Sequence, residues 1–168
     1  MIDEQSKNRI LEQRIGDAGE RTGRRLDEHS DFRFDFFSQA AGARLGAEWA
    51  AKRLKSERHD RSIAYMVDID TACEDVYEIL SGMGEIIETS DEPLGIAAVV
   101  GSGFLNMNPT IVTATFAPED EGATAIHLSA VAKEGLIKQK SAEKAITRLI
   151  EILSQGRGQD SCNSRFPA

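Results

Sequence analysis

Residues 123–153, ATAIHLSAVAKEGLIKQKSAEKAITRLIEIL, contain a change of hydrophobic period that decides the fold. In the first half, Ile126, Leu128 and Ala130 alternate with other residues, which is typical of a strand with one buried face. In the second half, apolar residues recur at helical spacing, at Ala142, Ala145, Ile146, Leu149, Ile150 and Leu153. The stretch therefore predicts a sheet strand followed by a long closing helix.

Upstream of this stretch, turn-forming residues separate further strand and helix patterns. Strands are predicted at residues 63–67, 85–88, 94–100, 110–116 and 123–131. A helix is predicted after the first strand, because Thr71 and Glu74 have the spacing of a capping box and glycines follow at 82 and 84. The predicted order is β-α-β-β-β-β-α. The fold class is α+β, with an antiparallel sheet of about five strands packed on a long C-terminal helix.

The N-terminal third has a different pattern. Residues 1–33 have a weak amphipathic period that three glycines interrupt, so this arm is expected to be partly disordered. Residues 31–55 predict a better helix, with one stripe formed by Phe36, Ala40, Ala43, Ala47, Ala50 and Leu54. We expect this stripe to pack on the rest of the chain or on a second copy, and we expect Arg44, Glu48 and Lys52 to face solvent.

Length and composition favour one domain with an arm. The chain has 168 residues, and its charge-rich segment 52–61 lacks an apolar period and is predicted to be a linker. Residues 155–168 have no period either. We therefore predict a helical, partly disordered N-terminal extension at 1–61, an α+β domain at 62–154 and a disordered tail at 155–168.

The charge distribution limits the possible partners. The net charge of -8 divides into 13 Lys or Arg against 12 Asp or Glu in residues 1–61, and 7 against 16 in residues 62–168. No Lys or Arg occurs between Arg61 and Lys133, so the sheet has no cation for a phosphate backbone, and no nucleic-acid partner is predicted.

Location is predicted from what the sequence lacks. The cysteines Cys73 and Cys162 have neither CxxC spacing nor a dense framework, and the first residues have no secretory pattern. The apolar part of residues 93–118 is too short for a bilayer span. We expect a reduced, cytoplasmic protein without a membrane span.

One polar set stands out on the predicted sheet. If the last two strands are neighbours, four side chains line up on the face away from the closing helix and form a candidate ligand-binding site: Thr113, Thr115, His127 and Ser129. A solvated outer face of the sheet predicts the same pattern. The sequence has no nucleophile elbow and no metal-ligand spacing, so no catalytic residue, metal or cofactor is predicted, and binding is favoured over enzymatic activity.

Candidate interaction residues lie in three other places. The second helix carries Phe36, Phe37 and Trp49, which could anchor a partner, a second copy or the helix itself. A glycine-rich connection carries the apolar residues Phe104 and Met107. The closing helix carries a basic strip of Lys140, Lys144 and Arg148, with Lys133 near it, which is either a solvent face or a docking strip for an acidic partner.

The element order and the long closing helix at residues 63–153 resemble the small TBP-like arrangement that also underlies Bet v 1-like domains of the START or helix-grip type. Helix-grip proteins usually have two helices where this sequence has one, and about two more strands. The resemblance implies a possible small hydrophobic ligand between the sheet and the closing helix, and no binding residues are carried over.

These patterns support two functional hypotheses. The first is a non-enzymatic binding or interaction domain, with a protein partner or a second copy. The alternative is a small-molecule or lipid carrier, or a cyclase-like enzyme, of helix-grip type. A pocket lined by His127 or Tyr65 would favour the alternative, whereas a filled aliphatic core would favour the binding domain.

Overall fold

Five strands form one antiparallel sheet with helices on both faces. The structure is a computed structural model that describes residues 1–27, 36–102, 108–134 and 139–163. The helices are α1 (Glu4–Asp27), α2 (Phe36–Ala51), α3 (Ile69–Met83) and α4 (Ser141–Asn163). The strands are β1 (Lys55–Tyr65), β2 (Gly84–Asp91), β3 (Leu94–Ser102), β4 (Asn108–Pro118) and β5 (Thr124–Glu134). The predicted fold class and the order β-α-β-β-β-β-α are confirmed.

The strand order is β1-β5-β4-β3-β2, and every neighbouring pair is antiparallel. Strands β2 to β5 follow one another along the sheet, because each connection returns directly to the neighbouring strand. The first strand instead pairs with the last, with Ile63 opposite Ile126. Helix α3 therefore connects the two edge strands and crosses one face of the sheet.

The main core lies between this face and helices α3 and α4. It is aliphatic, because every second residue of the strands points towards the helices. Its largest fully buried members include Leu80 of α3, Ile96 of β3, Ile126 of β5, and Ile146 and Leu149 of α4. These side chains pack together between the sheet and the two helices.

The opposite face is covered by α1. Its apolar contact is small and consists of Leu11 against Ile111 and Val131, with partly buried neighbours at the margin. Helix α2 packs along α1 rather than on the sheet. Gly16 makes close packing possible there, because a Cβ at that position would lie 2.6 Å from the Glu48 side chain.

The first strand begins earlier than predicted. Residues 55–61, assigned to a linker, belong to β1 and pair with β5 through the register from Lys55 opposite Glu134 to Tyr65 opposite Thr124. An edge strand is held by backbone hydrogen bonds and tolerates charged side chains. The lack of an apolar period in residues 55–61 therefore did not exclude a strand.

The closing helix ends later than predicted. Helix α4 continues to Asn163, so residues 155–163 of the predicted tail are helical, and residues 164–168 lie outside the described part of the chain. The division into extension, domain and tail stays a prediction. None of the described helices combines the length and the apolar character needed to cross a bilayer.

The start of α3 also differs from the prediction. The N-cap is Asp68, whose carboxylate accepts hydrogen bonds from the Thr71 amide at 3.0 Å and the Thr71 hydroxyl at 2.8 Å. The capping box predicted for Thr71 and Glu74 is therefore wrong. An aspartate cap three residues before Thr71 satisfies the same free amide, and the helix gains two residues at its start.

Helix α2 departs from the expectation at Ala50 and Arg44. Ala51 is buried and Ala50 is exposed, although Ala50 belongs to the stripe predicted to pack. Arg44, expected on a solvent face, turns towards α1 and forms ion pairs with Asp17, Glu20 and Glu48. The other stripe residues of described burial, Ala43, Ala47 and Leu54, are half-buried, so the contact of α2 with α1 combines part of the predicted stripe with the ion pairs of Arg44.

Candidate functional site

The four residues of the predicted polar site lie together on one face of the sheet. Thr113 pairs with Ser129 and Thr115 pairs with His127 across β4 and β5. They share this face with Ile111 and Val131, which contact α1. The register thus gives the predicted neighbourhood on the side away from α4, and the binding role of these residues stays a prediction.

Helix α1 changes the character of this face. Thr113 is only 5% exposed, and its hydroxyl has no hydrogen-bond partner among the described residues. The Ser129 hydroxyl makes no hydrogen bond of good geometry within the same residues, but it lies beside Asp60 and, with Arg58, lowers the pKa of that carboxyl group. The inner half of the polar set is therefore a covered interface rather than an open site.

The outer half contains a contact that sequence reasoning missed. The Ser62 Oγ lies 2.7 Å from His127 Nδ1, because the two residues are directly opposite in β1 and β5. The predicted strand began at residue 63, so Ser62 was not expected to lie opposite His127. A nucleophilic serine needs a carboxylate on the other ring nitrogen of its histidine, and no such bond is present among the described side chains.

A pocket lies elsewhere, between α3 and the hairpin of β2 and β3. Its volume is about 340 Å³. Its lining residues are Cys73, Glu74, Tyr77, Thr89, Ser90, Asp91, Leu94, Gly95 and Ile96. Cys73 and Tyr77 lie one turn apart on α3, while Thr89 is paired with Ile96 and Asp91 with Leu94 in the hairpin. Sequence reasoning did not identify this pocket.

The pocket has an apolar base and a more polar rim. Ile96 at the base is buried in the main core, whereas the Tyr77 ring is 46% exposed. Burial, followed by the charges of Asp70 and Glu74, raises the pKa of the Cys73 thiol. Because the thiolate is the reactive form, Cys73 is a poor nucleophile at neutral pH.

The two residues that would have favoured a helix-grip pocket are placed elsewhere. Tyr65 belongs to the main core, and its hydroxyl donates to Asp75 of α3 at 2.7 Å. His127 lies on the α1 face of the sheet. Neither lines the pocket between α3 and the hairpin.

Of the predicted interaction residues on α2, Trp49 is 59% exposed, and Leu45, one turn earlier, is 66% exposed. The Arg53 guanidinium lies 3.5 Å from the centroid of the Trp49 ring. The side chains of Phe36 and Phe37, and the whole of Phe104 and Met107, lie outside the described part of the structure. Leu45 was not predicted, because the apolar stripe was assigned to another face.

The basic strip is placed on the outer side of α4. Lys144 and Arg148 are exposed, and Lys140 forms an ion pair with Glu143 at 3.0 Å. Lys133, expected near this strip, lies on the α1 face and bonds Glu12 at 2.8 Å. The strip is therefore narrower than predicted, and its role in docking stays a prediction.

Two carboxyl groups meet at the N-terminus of α4. The Ala142 amide donates to Glu57 Oε2 at 3.2 Å, and the Ser141 amide donates to Glu134 Oε1 at 2.8 Å. Burial, together with the neighbouring Glu134, raises the pKa of Glu57. Burial opposes the shift at Glu134, but the Ser141 amide and the Glu57 carboxyl together lower the pKa of that group. The two carboxyl groups therefore have pKa shifts of opposite direction, and both cap the helix.

Metal binding has no structural support in the described ranges, where no group of three or more His, Cys, Asp or Glu side chains is placed to hold an ion.

Comparison with known proteins adds little. No protein-family model matches the sequence, and no curated protein matches it. Among solved structures, the chain is similar to the crystal structure of Ara h 8.0201, with 10% identity, a TM-score of 0.35, and coverage of 60% of this chain and 94% of that chain. A TM-score of this size settles neither family nor function.

Proposed function

We propose that this chain is a non-enzymatic binding domain that holds a small, largely apolar molecule between α3 and the hairpin of β2 and β3. The observation that carries this proposal is the open pocket of about 340 Å³ over Ile96. Ligand pockets in proteins have volumes of roughly 300–1,000 Å³ and mostly apolar linings with a few polar groups. This pocket has that volume, and Thr89 and Ser90 are polar groups at its rim.

The position of the pocket separates this proposal from the helix-grip alternative. A helix-grip carrier would hold its ligand between the sheet and α4. In this chain Leu128, Ile146 and Leu149 occupy that space and are buried. An apolar ligand would instead extend the main core outwards at the far end of the sheet, where Ile96 belongs both to the core and to the pocket lining.

The chemistry of the lining favours binding over catalysis. The lining thiol, Cys73, is held in its protonated form. The Ser62 and His127 pair lies on the opposite face of the sheet from the pocket, because Ile96 points towards α3 and His127 towards the α1 side. The Ser62 and His127 pair therefore cannot reach a molecule held in the pocket.

A titration with a neutral apolar probe tests the proposal. In NMR spectra of the full chain, 3-phenylpropanol should shift amide signals at Cys73, Thr89 and Leu94. Tyr77→Ala should weaken binding about tenfold, since it removes an aromatic wall. Trp49→Ala, which removes an exposed aromatic ring outside the pocket, should leave the affinity unchanged. Equal affinity in both variants, or shifts confined to other regions, would contradict the proposal.

A second candidate function is self-association through α2. Leu45 and Trp49 form an exposed apolar pair one helical turn apart, which is the kind of surface that interfaces cover. A second copy of the chain is the proposed occupant. The mass measured by light scattering should fall when both residues are changed to Glu, and it should not fall for Met66→Glu, which changes an exposed apolar residue elsewhere. A mass that responds to neither change would exclude an α2 interface.

A further inference from the structure

We infer that the pocket between α3 and the hairpin selects an organic cation: a molecule with an apolar body and one protonated amine. This inference rests on the proposed function, since the same pocket must first bind the apolar body. The inference specifies that the ligand is positively charged, whereas the proposed function does not specify a charge.

The two ionised groups in the pocket lining are both acidic. Glu74 comes from α3 and Asp91 comes from the end of β2, so a carboxylate is present on each side of the pocket. Both side chains are exposed at the rim. A ligand amine at the mouth could therefore meet one or both carboxylates while its apolar part covers Ile96 below them.

The surrounding charge has the same sign. Residues 62–132, which supply the whole lining, contain twelve Asp or Glu and no Lys or Arg. The described cations near the hairpin are on the other face of the sheet, where the Met1 amine pairs with Glu88 at 2.8 Å and Arg14 pairs with Glu85. An anionic ligand would meet only like charges at this pocket, and a cation would be attracted.

The aromatic residue of the lining supports the same class of ligand. Tyr77 lies on α3 one turn after Cys73, lines the pocket and is partly exposed. Aromatic faces attract ammonium groups. Cys73, with its raised pKa, adds a neutral apolar surface instead of a competing charge.

Three compounds with one carbon skeleton test the inference: 3-phenylpropylamine as the cation, 3-phenylpropanol as the neutral form and 3-phenylpropanoate as the anion. Affinities are measured by NMR titration at low ionic strength, where exposed charges are least screened. The expected order is cation, then alcohol, then anion. Added NaCl should weaken binding of the amine and leave that of the alcohol unchanged.

Matched variants locate the effect. Glu74→Gln combined with Asp91→Asn should weaken binding of the amine about five- to tenfold and leave the alcohol unaffected. The control combines Glu78→Gln with Glu92→Gln, because each of these exposed acids is near a lining acid but does not line the pocket. It removes the same charge and should leave the affinities of both compounds nearly unchanged.

The outcomes separate the two proposals. Equal affinity for amine and alcohol in the native chain would overturn the cation inference and leave the binding function standing. Equal losses in both double variants would also overturn it, since the attraction would then come from net charge rather than from the pocket. If none of the three compounds binds, both proposals fail.

Discussion

The two faces of the sheet are covered by helices in different ways. On one face, α3 and α4 bury a continuous aliphatic cluster that includes Leu149. On the other, α1 buries one small cluster around Leu11, and polar contacts surround it: Glu12 with Lys133, Arg14 with Glu85, and the Met1 amine with Glu88.

This difference indicates two kinds of stability within one sheet. Burial of apolar area is insensitive to moderate salt, whereas exposed ion pairs are screened over about 8 Å at physiological ionic strength. Cavity-forming substitutions should therefore destabilise the face covered by α3 and α4 most. Charge substitutions and added salt should act mainly on the face covered by α1.

The largest effect is expected on the aliphatic face. Leu149→Ala should lower the free energy of unfolding by about 2 to 5 kcal/mol, because it leaves a cavity in the main core. Urea denaturation followed by circular dichroism measures it. A loss below about 1 kcal/mol would show that α4 is peripheral.

The corresponding change on the other face should have a smaller and more local effect. Leu11→Ala should cost about 2 kcal/mol, at the lower end for a buried leucine, because the cluster around it is small and α1 can shift. Hydrogen exchange should show lost protection in α1 while α4 keeps its own. Equal loss of protection in both helices would show that the two faces are one cooperative unit.

A charge substitution sharpens the comparison. Glu12→Gln weakens the bond to Lys133, whose side chain is only 5% exposed, and should cost about 1 kcal/mol. The control is Glu4→Gln, since Glu4 and its partner Arg58 are both largely exposed and lie 3.6 Å apart. The control should change stability by less than about 0.5 kcal/mol. If Glu12→Gln lowers stability no more than Glu4→Gln does, the ion pair does not hold α1.

The smallest effect concerns pH at the start of α4. The pKa of Glu57 is raised above its ordinary value of 4.5, so its proton stabilises the folded chain at low pH, and this contribution is lost as pH rises through the folded value. Glu57→Gln should therefore remove a decline in unfolding free energy between about pH 4.5 and neutrality.

The companion variant has the opposite sign. The pKa of Glu134 is lowered, so its contribution is present above 4.5 and is lost as pH falls through the folded value. Glu134→Gln should therefore remove the decrease in unfolding free energy that the native chain shows as pH falls below about 4.5. Denaturation curves from pH 3 to 8 measure both variants, and superimposable pH profiles for the native chain and the two variants would contradict the opposite pKa shifts of Glu57 and Glu134.

The parts of the fold that were predictable are those in which local period and burial agree. The alternation at Ile126 and Leu128 and the helical spacing at Ile146 and Leu149 both mark the face that meets the main core. The start of β1 was not predictable in this way, because Lys55 and Arg58 are held by backbone pairing at a sheet edge.

The candidate sites also differ in whether local sequence patterns could predict them. The neighbourhood of Thr113 and Ser129 followed from alternation once β4 and β5 were neighbours. The position of α1 over these two residues could not be predicted, because Leu11 and Glu12 contact residues that are far away in the sequence. The pocket was also hidden, since Cys73, Tyr77 and Leu94 are individually ordinary and only the placement of α3 against the hairpin leaves a space between them.

The bond between Glu12 and Lys133 joins residues 121 positions apart, and this separation has a consequence for synthesis. At about 5–20 residues per second, a ribosome needs roughly ten seconds to extend the chain from one residue to the other. Helix α1 thus leaves the ribosome long before β4 and β5, the strands that hold it. During that interval Leu11 has no partner in the sheet, so α1 can contact only α2 until β4 and β5 have been synthesised.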